Sequence, residues 1–130
     1  MSIPWAAQFA DFSLLLLRLM VALVFGSSGY SHLKSPRQRA QSIGMSVGFT
    51  VFLGIAEVAG ALGVAFGVLT QWAALGLILV MAGALYKKIF VWKTGFWGEK
   101  APGWHYELML VVMNLVIICT GGGRFLVMPL

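Results

Sequence analysis

Arg18 and Glu57 each stand inside a long apolar run of the chain. Ionisable side chains at such depth in a bilayer are costly and face a partner, a cavity or the interior of a bundle. Counted along ideal helices, Arg18 lies roughly 9 Å in from the outer end of its run. Glu57 lies roughly 12 Å from the inner end of the next run and about 18 Å from its outer end. The axial gap of about 9 Å between the two backbones is within the joint reach of the side chains, directly or through water. An Arg18–Glu57 pair is therefore expected, because buried together they cost far less than either charge alone. The pair would act as a clamp setting the register of two helices. Alternatively, it would line a pocket for a polar head, such as a quinone carbonyl, or a proton path.

His32 follows the first apolar run and His105 opens the last, in the company of Tyr30, Trp104, Tyr106 and Glu107. Imidazoles at one boundary can exchange protons near neutral pH, bind metal or donate a hydrogen bond to a quinone. Their positions on different helices give no metal-ligand spacing, so no metal site is expected, and haem ligation by the two is disfavoured. Asn114 should lie at the level of Glu57 and hydrogen-bond across the bundle. The one cysteine, Cys119, excludes an internal disulfide or a dithiol relay and reads as a packing residue. The sequence holds no nucleophile–base arrangement and no phosphate loop. Gly121-Gly122-Gly123 follows a helix rather than a strand, so it is a helix stop.

These residues need helices in lipid to position them. Of the 130 residues, 60% are hydrophobic and 10% charged, against about 45–50% and about 25% in soluble domains. One transmembrane domain over residues 1–130 is expected, all-α, with helices at about 12–30, 49–69, 72–90 and 105–120. The first is expected to be retained rather than cleaved as a signal, since Arg18 interrupts its core. Residues 1–11 read as an interfacial lead-in, with Asp11 capping the first helix. Residues 31–48 and 91–104 read as loops, the latter rich in tryptophan. Ala56/Gly60, Ala59/Gly63 and Gly63/Gly67 would let neighbouring helices approach closely, with a homo-oligomer seam as the lesser reading. The net charge of +5 comes from basic residues in two loops, so lipid is the expected partner and nucleic acid is not. Lys34, Arg37, Arg39, Lys87, Lys88, Lys93 and Lys100 fall on one side, and Arg124 on the other. That bias predicts an up-down antiparallel four-helix bundle, both termini extracytoplasmic, in a bacterial cytoplasmic (inner) membrane.

The order of several loose motifs resembles the DoxX family of small four-helix bacterial membrane proteins. They are Arg18, then Phe25…Gly29-x-x-His32-Leu33, Glu57-x-x-Gly60, Leu69-Thr70-x-x-Ala73-Ala74, Gly103-Trp104-His105-Tyr106-Glu107-Leu108 and Gly121-x-Gly123-Arg124. The resemblance covers nearly the whole chain. It implies a redox-associated or helper role: the family takes its name from a subunit associated with a thiosulfate:quinone oxidoreductase, and animal relatives act in assembly. His32 stands where the family usually has lysine, and His105 where it more often has glutamate. The expected function is thus an accessory or quinone-associated subunit of a membrane oxidoreductase, not catalytic alone, working with a partner membrane or redox protein. An assembly scaffold is the alternative. A small-molecule transporter is a weaker one, because small exporters carry their glutamate in the first helix and have little loop-charge bias.

Overall fold

The computed structural model describes residues 5–98 and 103–126. The lead-in's first four residues, together with Lys100 and Pro102 of the last loop, lie outside these. The described chain is helical throughout its apolar runs. A 3-10 turn, Ala6–Phe9, leads into α1 (Ala10–Lys34), followed by α2 (Pro36–Ile43), α3 (Val47–Phe66), α4 (Thr70–Tyr86) and α5 (His105–Thr120). A π-helical turn, Lys87–Val91, extends α4. Three helical stretches are long and apolar enough to cross a membrane: Ala6–Lys34, Val47–Phe66 and Thr70–Val91. The fourth apolar helix, α5, has 16 residues, or about 24 Å of rise, short of the roughly 30 Å hydrocarbon layer.

Local chemistry sets the breaks. Pro36 opens α2, where its missing N–H costs nothing, and Gly44 ends it in the left-handed region at φ 70°. The Ser46 hydroxyl caps α3 by accepting from the Phe49 amide at 3.1 Å. Gly67, at φ 75°, ends α3, and α4 begins three residues later. The expected loop at 31–48 is thus mostly helix: α1 runs four residues further than expected, and α2 fills much of the remainder. Asp11 is not a cap. It lies in the first turn of α1 and accepts from the Arg124 amide at 3.1 Å.

Each helix hides one narrow stripe. On α1 it is Arg18, Val21, Phe25, Gly29 and His32; on α3, Thr50, Gly54, Glu57, Ala61 and Val64. On α4 it is Thr70, Ala74, Leu77 and Met81; on α5, Glu107, Leu110, Asn114 and Ile117. The alternating steps of three and four are the seam of helices wrapped on one another. Large apolar residues such as Leu23, Phe52, Leu79 and Met109 face outward. A soluble helix would bury those and expose Arg18 and Glu57, so the arrangement is inverted, as lipid requires.

Packing is closest where glycines meet. The amino half of α1 lies by the carboxyl end of α3, and its other half by the start of α3. A Cβ on Gly29 would come within 2.8 Å of the Gly54 carbonyl, and one on Gly54 within 3.0 Å of the Gly29 carbonyl. Gly60 and Gly63 sit against Leu77 and Ala73 of α4, so these small residues serve packing within the chain. α1 rests mainly on α3, and α4 mainly on α5, whereas α1 and α5 touch only lightly.

Gly29→Ala should therefore lower stability by about 1–3 kcal/mol through overpacking. Gly83→Ala, where nothing lies within 4 Å, should be neutral or stabilise by up to about 1 kcal/mol. Thermal unfolding of the two variants in detergent measures the contrast. Equal midpoints would contradict the α1–α3 contact.

Candidate functional site

The sequence-derived candidates separate into three places. Towards the end of the molecule where α3 finishes, Arg18 is 1% exposed, and among the described residues its hydrogen bonds all go to backbone carbonyls. Its Nε donates to Val64 O at 2.9 Å and its Nη2 to Ala65 O at 3.1 Å. Its Nη1 donates to Gly122 O at 3.1 Å and Phe125 O at 2.7 Å. Val64 and Ala65 belong to the last turn of α3, whose carbonyls have no partner within their own helix. The partial negative charge of that helix end suits a guanidinium.

The expected Arg18–Glu57 pair does not form. Among the described residues the ion pairs are Lys88–Glu107 and Arg124–Asp11. The physical reason is that the helix end and the segment after α5 already use the guanidinium's donors, while Glu57 lies two turns back along α3 among other groups.

Those groups make the second place, built from α1, α2, α3, α5 and the π-helical turn. Glu57 of α3 is 3% exposed. The Ser28 hydroxyl of α1 donates to its carboxylate, and the charge of Arg39 acts on it. One turn past Ser28, the Nδ1 of buried His32 accepts from Arg39 Nε at 3.3 Å. Arginine has no acceptor, so the imidazole making this bond carries no proton on Nδ1. From α5, half-buried Tyr106 lies within electrostatic reach of both Glu57 and Glu107. Glu107 Oε1 pairs with Lys88 Nζ at 2.7 Å, and Lys88 also lies 5.6 Å above the Tyr106 ring. Glu57 Oε2 and Glu107 Oε2 are buried and have no hydrogen-bond partner. Deeper on α5, Asn114 Nδ2 donates to Leu110 O at 2.8 Å, within its own helix rather than across the bundle as expected, and its Oδ1 is unpartnered.

The third place is the loop before α5. His105 Nδ1 sits 2.6 Å from Phe96 O, and its ring lies against Phe96 and Trp97. Trp104 packs edge-on against Phe96 at 4.7 Å. His105 and His32 thus have separate surroundings and form no common layer. Tyr30 is exposed, with Lys34 Nζ 5.8 Å from its ring, and does not join the cluster. Cys119 is also exposed on its helix rather than packed inside.

Sequence reasoning missed Ser28, Arg39 and Lys88. Arg39 lies on α2, across the break at Ser35 from His32, so no spacing within one helix points to their contact. The gathered groups can bind a polar head and hold or pass protons. Among the described residues no three His, Cys, Asp or Glu side chains are grouped to hold a metal ion.

A family model described as DoxX-like matches residues 16–118. The chain belongs to the DoxX-like family. The matched stretch contains Arg18, the whole Glu57 cluster and Asn114. No curated protein and no solved structure matches the chain.

Removing the guanidinium, as in Arg18→Gln, leaves several buried carbonyls without donors and should cost on the order of 3 kcal/mol. Combined with Glu57→Gln, the losses should add to within about 0.5 kcal/mol, because the two residues share no partner. Lys88→Met and Glu107→Leu should instead couple by about 1–3 kcal/mol. Denaturation of the two double-mutant cycles tests both statements, and strong coupling in the first would restore the direct pair.

Proposed function

We propose that this protein is a small integral subunit of a membrane oxidoreductase system, not catalytic on its own. Its inner cluster would receive the head of a quinone or a polar group of a partner membrane protein. The observation that carries this reading is the buried pair of unpartnered oxygens, Glu57 Oε2 and Glu107 Oε2, beside a phenol and an imidazole. Buried polar atoms ordinarily have partners, so such orphans in a membrane protein favour a binding role. Membership of the DoxX-like family supports a membrane role.

In this reading the four apolar helices form one up-down antiparallel transmembrane domain with both termini outside a bacterial inner membrane. The seven-to-one distribution of basic residues supports that orientation, and it puts the Glu57 cluster in the cytoplasmic half. A scaffold role without a ligand is the second reading. The observation favouring it is that Arg18 spends its hydrogen bonds within the chain, as a purely structural residue would.

Protein purified from bacterial membranes in mild detergent should carry quinone near one per chain, measured by mass spectrometry of the extract. Glu57→Gln should lower that several-fold while the helical circular dichroism stays unchanged. Preparations free of quinone and of any oxidoreductase subunit would leave the scaffold reading in its place. Fusions at the carboxyl terminus should show alkaline phosphatase activity and no green fluorescence, and the reverse would invert the orientation.

A further inference from the structure

A cavity of about 380 Å³ lies at the amino end of α1, roughly 25 Å along that helix from Ser28. Gln8, Phe9, Asp11, Phe12, Arg124 and Phe125 line it. Gly123 brings the segment after α5 to this place. At φ 85° it passes so close that a Cβ would come within 3.3 Å of the Asp11 carbonyl and carboxylate oxygens. The Arg124 amide then donates to Asp11 Oδ1 at 3.1 Å. The two side chains are held less closely. Arg124 Nε stands 3.7 Å from Asp11 Oδ2, beyond hydrogen-bond length, and the arginine side chain is 76% exposed. An exposed pair of this kind contributes little, so a ligand that parts it sacrifices little. The Phe125 ring, 5.3 Å from the guanidinium carbon, supports the arginine.

The lining selects a particular head. A guanidinium whose side-chain donors make no hydrogen bond among the described residues suits a phosphate, which it can take bidentately. Asp11 Oδ2, likewise without a hydrogen bond among the described residues, suits an ammonium that donates to it. Gln8 adds an amide that can donate or accept. A phosphate alone would leave the carboxylate facing a like charge, and an ammonium alone would do the same to the guanidinium. A zwitterion carrying both satisfies the two at once. Its nitrogen must bear hydrogens, because a fully methylated ammonium has nothing to donate to Oδ2.

The same face of α1 continues as a track for hydrocarbon. From Phe12 in the cavity wall, Leu16, Leu19 and Leu23 follow at helical spacing, and these four side chains are 45–65% exposed. They span about 16 Å of the helix. A charged cavity at the head of an apolar stripe matches the two parts of a phospholipid. We infer that this place holds the phosphoethanolamine head of a membrane phospholipid, phosphate on Arg124 and ammonium on Asp11, with an acyl chain lying along Phe12, Leu16, Leu19 and Leu23. The inference stands independently of the quinone-associated reading.

The full chain, delipidated in mild detergent, is offered equal amounts of dioleoyl phosphatidylethanolamine, phosphatidylcholine and phosphatidylglycerol, and native mass spectrometry counts the lipid retained. The ethanolamine lipid should be retained at least about fivefold more than either other, the discrimination expected of one charge-assisted hydrogen bond. Asp11→Asn keeps an acceptor for the Arg124 amide but loses the charge, so it should fold normally and retain the ethanolamine lipid no better than the choline lipid. Arg124→Gln should lower retention of all three. Circular dichroism and thermal unfolding check the fold of each variant. Equal retention of the three lipids by the natural chain would overturn the inference without any variant. So would a preference that persists unchanged in a folded Asp11→Asn chain. Phosphatidylglycerol retained above the others would replace the zwitterionic head with an anionic one. Millimolar O-phosphoethanolamine should not displace the lipid, and displacement would make a free zwitterion, not a phospholipid, the occupant.

Discussion

The junction around Arg18 governs how this chain can end its helices in a setting without water. Every helix leaves carbonyls unsatisfied at its carboxyl end, and in hydrocarbon each such group is expensive. One guanidinium, carried inward on α1, satisfies two carbonyls of α3 and two of the segment after α5. Gln71 does the same on a smaller scale, donating to Ile118 O in the last turn of α5. The brevity of α5 follows from this arrangement. Just beyond Thr120, the non-helical carbonyls of Gly122 and Phe125 find a protein donor in Arg18.

Among the described residues no carboxylate pairs with this buried positive charge. Dipoles do that work, and they leave Glu57 free for other company. The two ends of the molecule thus differ in kind. Around Arg18, a side chain serves main chain and fixes where three segments meet. Around Glu57, side chains meet side chains, and some of their atoms are left over. Unpartnered buried atoms occur at both ends, Thr70 Oγ1 near Arg18 and the carboxylate oxygens of Glu57 and Glu107 at the other, but only at the second are they ionisable.

Much of the fold could be read from residue order, for identifiable reasons. The bounds of α5 came from an aromatic, histidine-led start and three glycines at its end, both strong local signals. That Arg18 and Glu57 turn inward followed from the energetics of burial alone. Their partners did not, because a carbonyl at a helix end has no residue-type signature, and any sequence could supply it. The segment after α1 reads as a loop because it is polar and basic, although Pro36 at its start and Gly44 at its end are ordinary helix punctuation. Missing α2 meant missing Arg39, and with it the company of His32. Lys88 was hidden by a departure from regular helix that no apolar periodicity records.

That departure reaches beyond Lys88. The turn over Lys87–Val91 is wider than an α-helical one, with the Trp92 amide reaching back to the Lys87 carbonyl at 2.7 Å. An additional residue per turn delays the winding by roughly 100° for all that comes after it. The chain therefore leaves α4 out of phase with the rod beneath it. The following stretch folds over the head of α5, where Gly95 O and Phe96 O receive the Trp104 and His105 amides. A one-residue deletion in that turn would restore regular winding and swing this aromatic cap away from the head of α5, which it now covers.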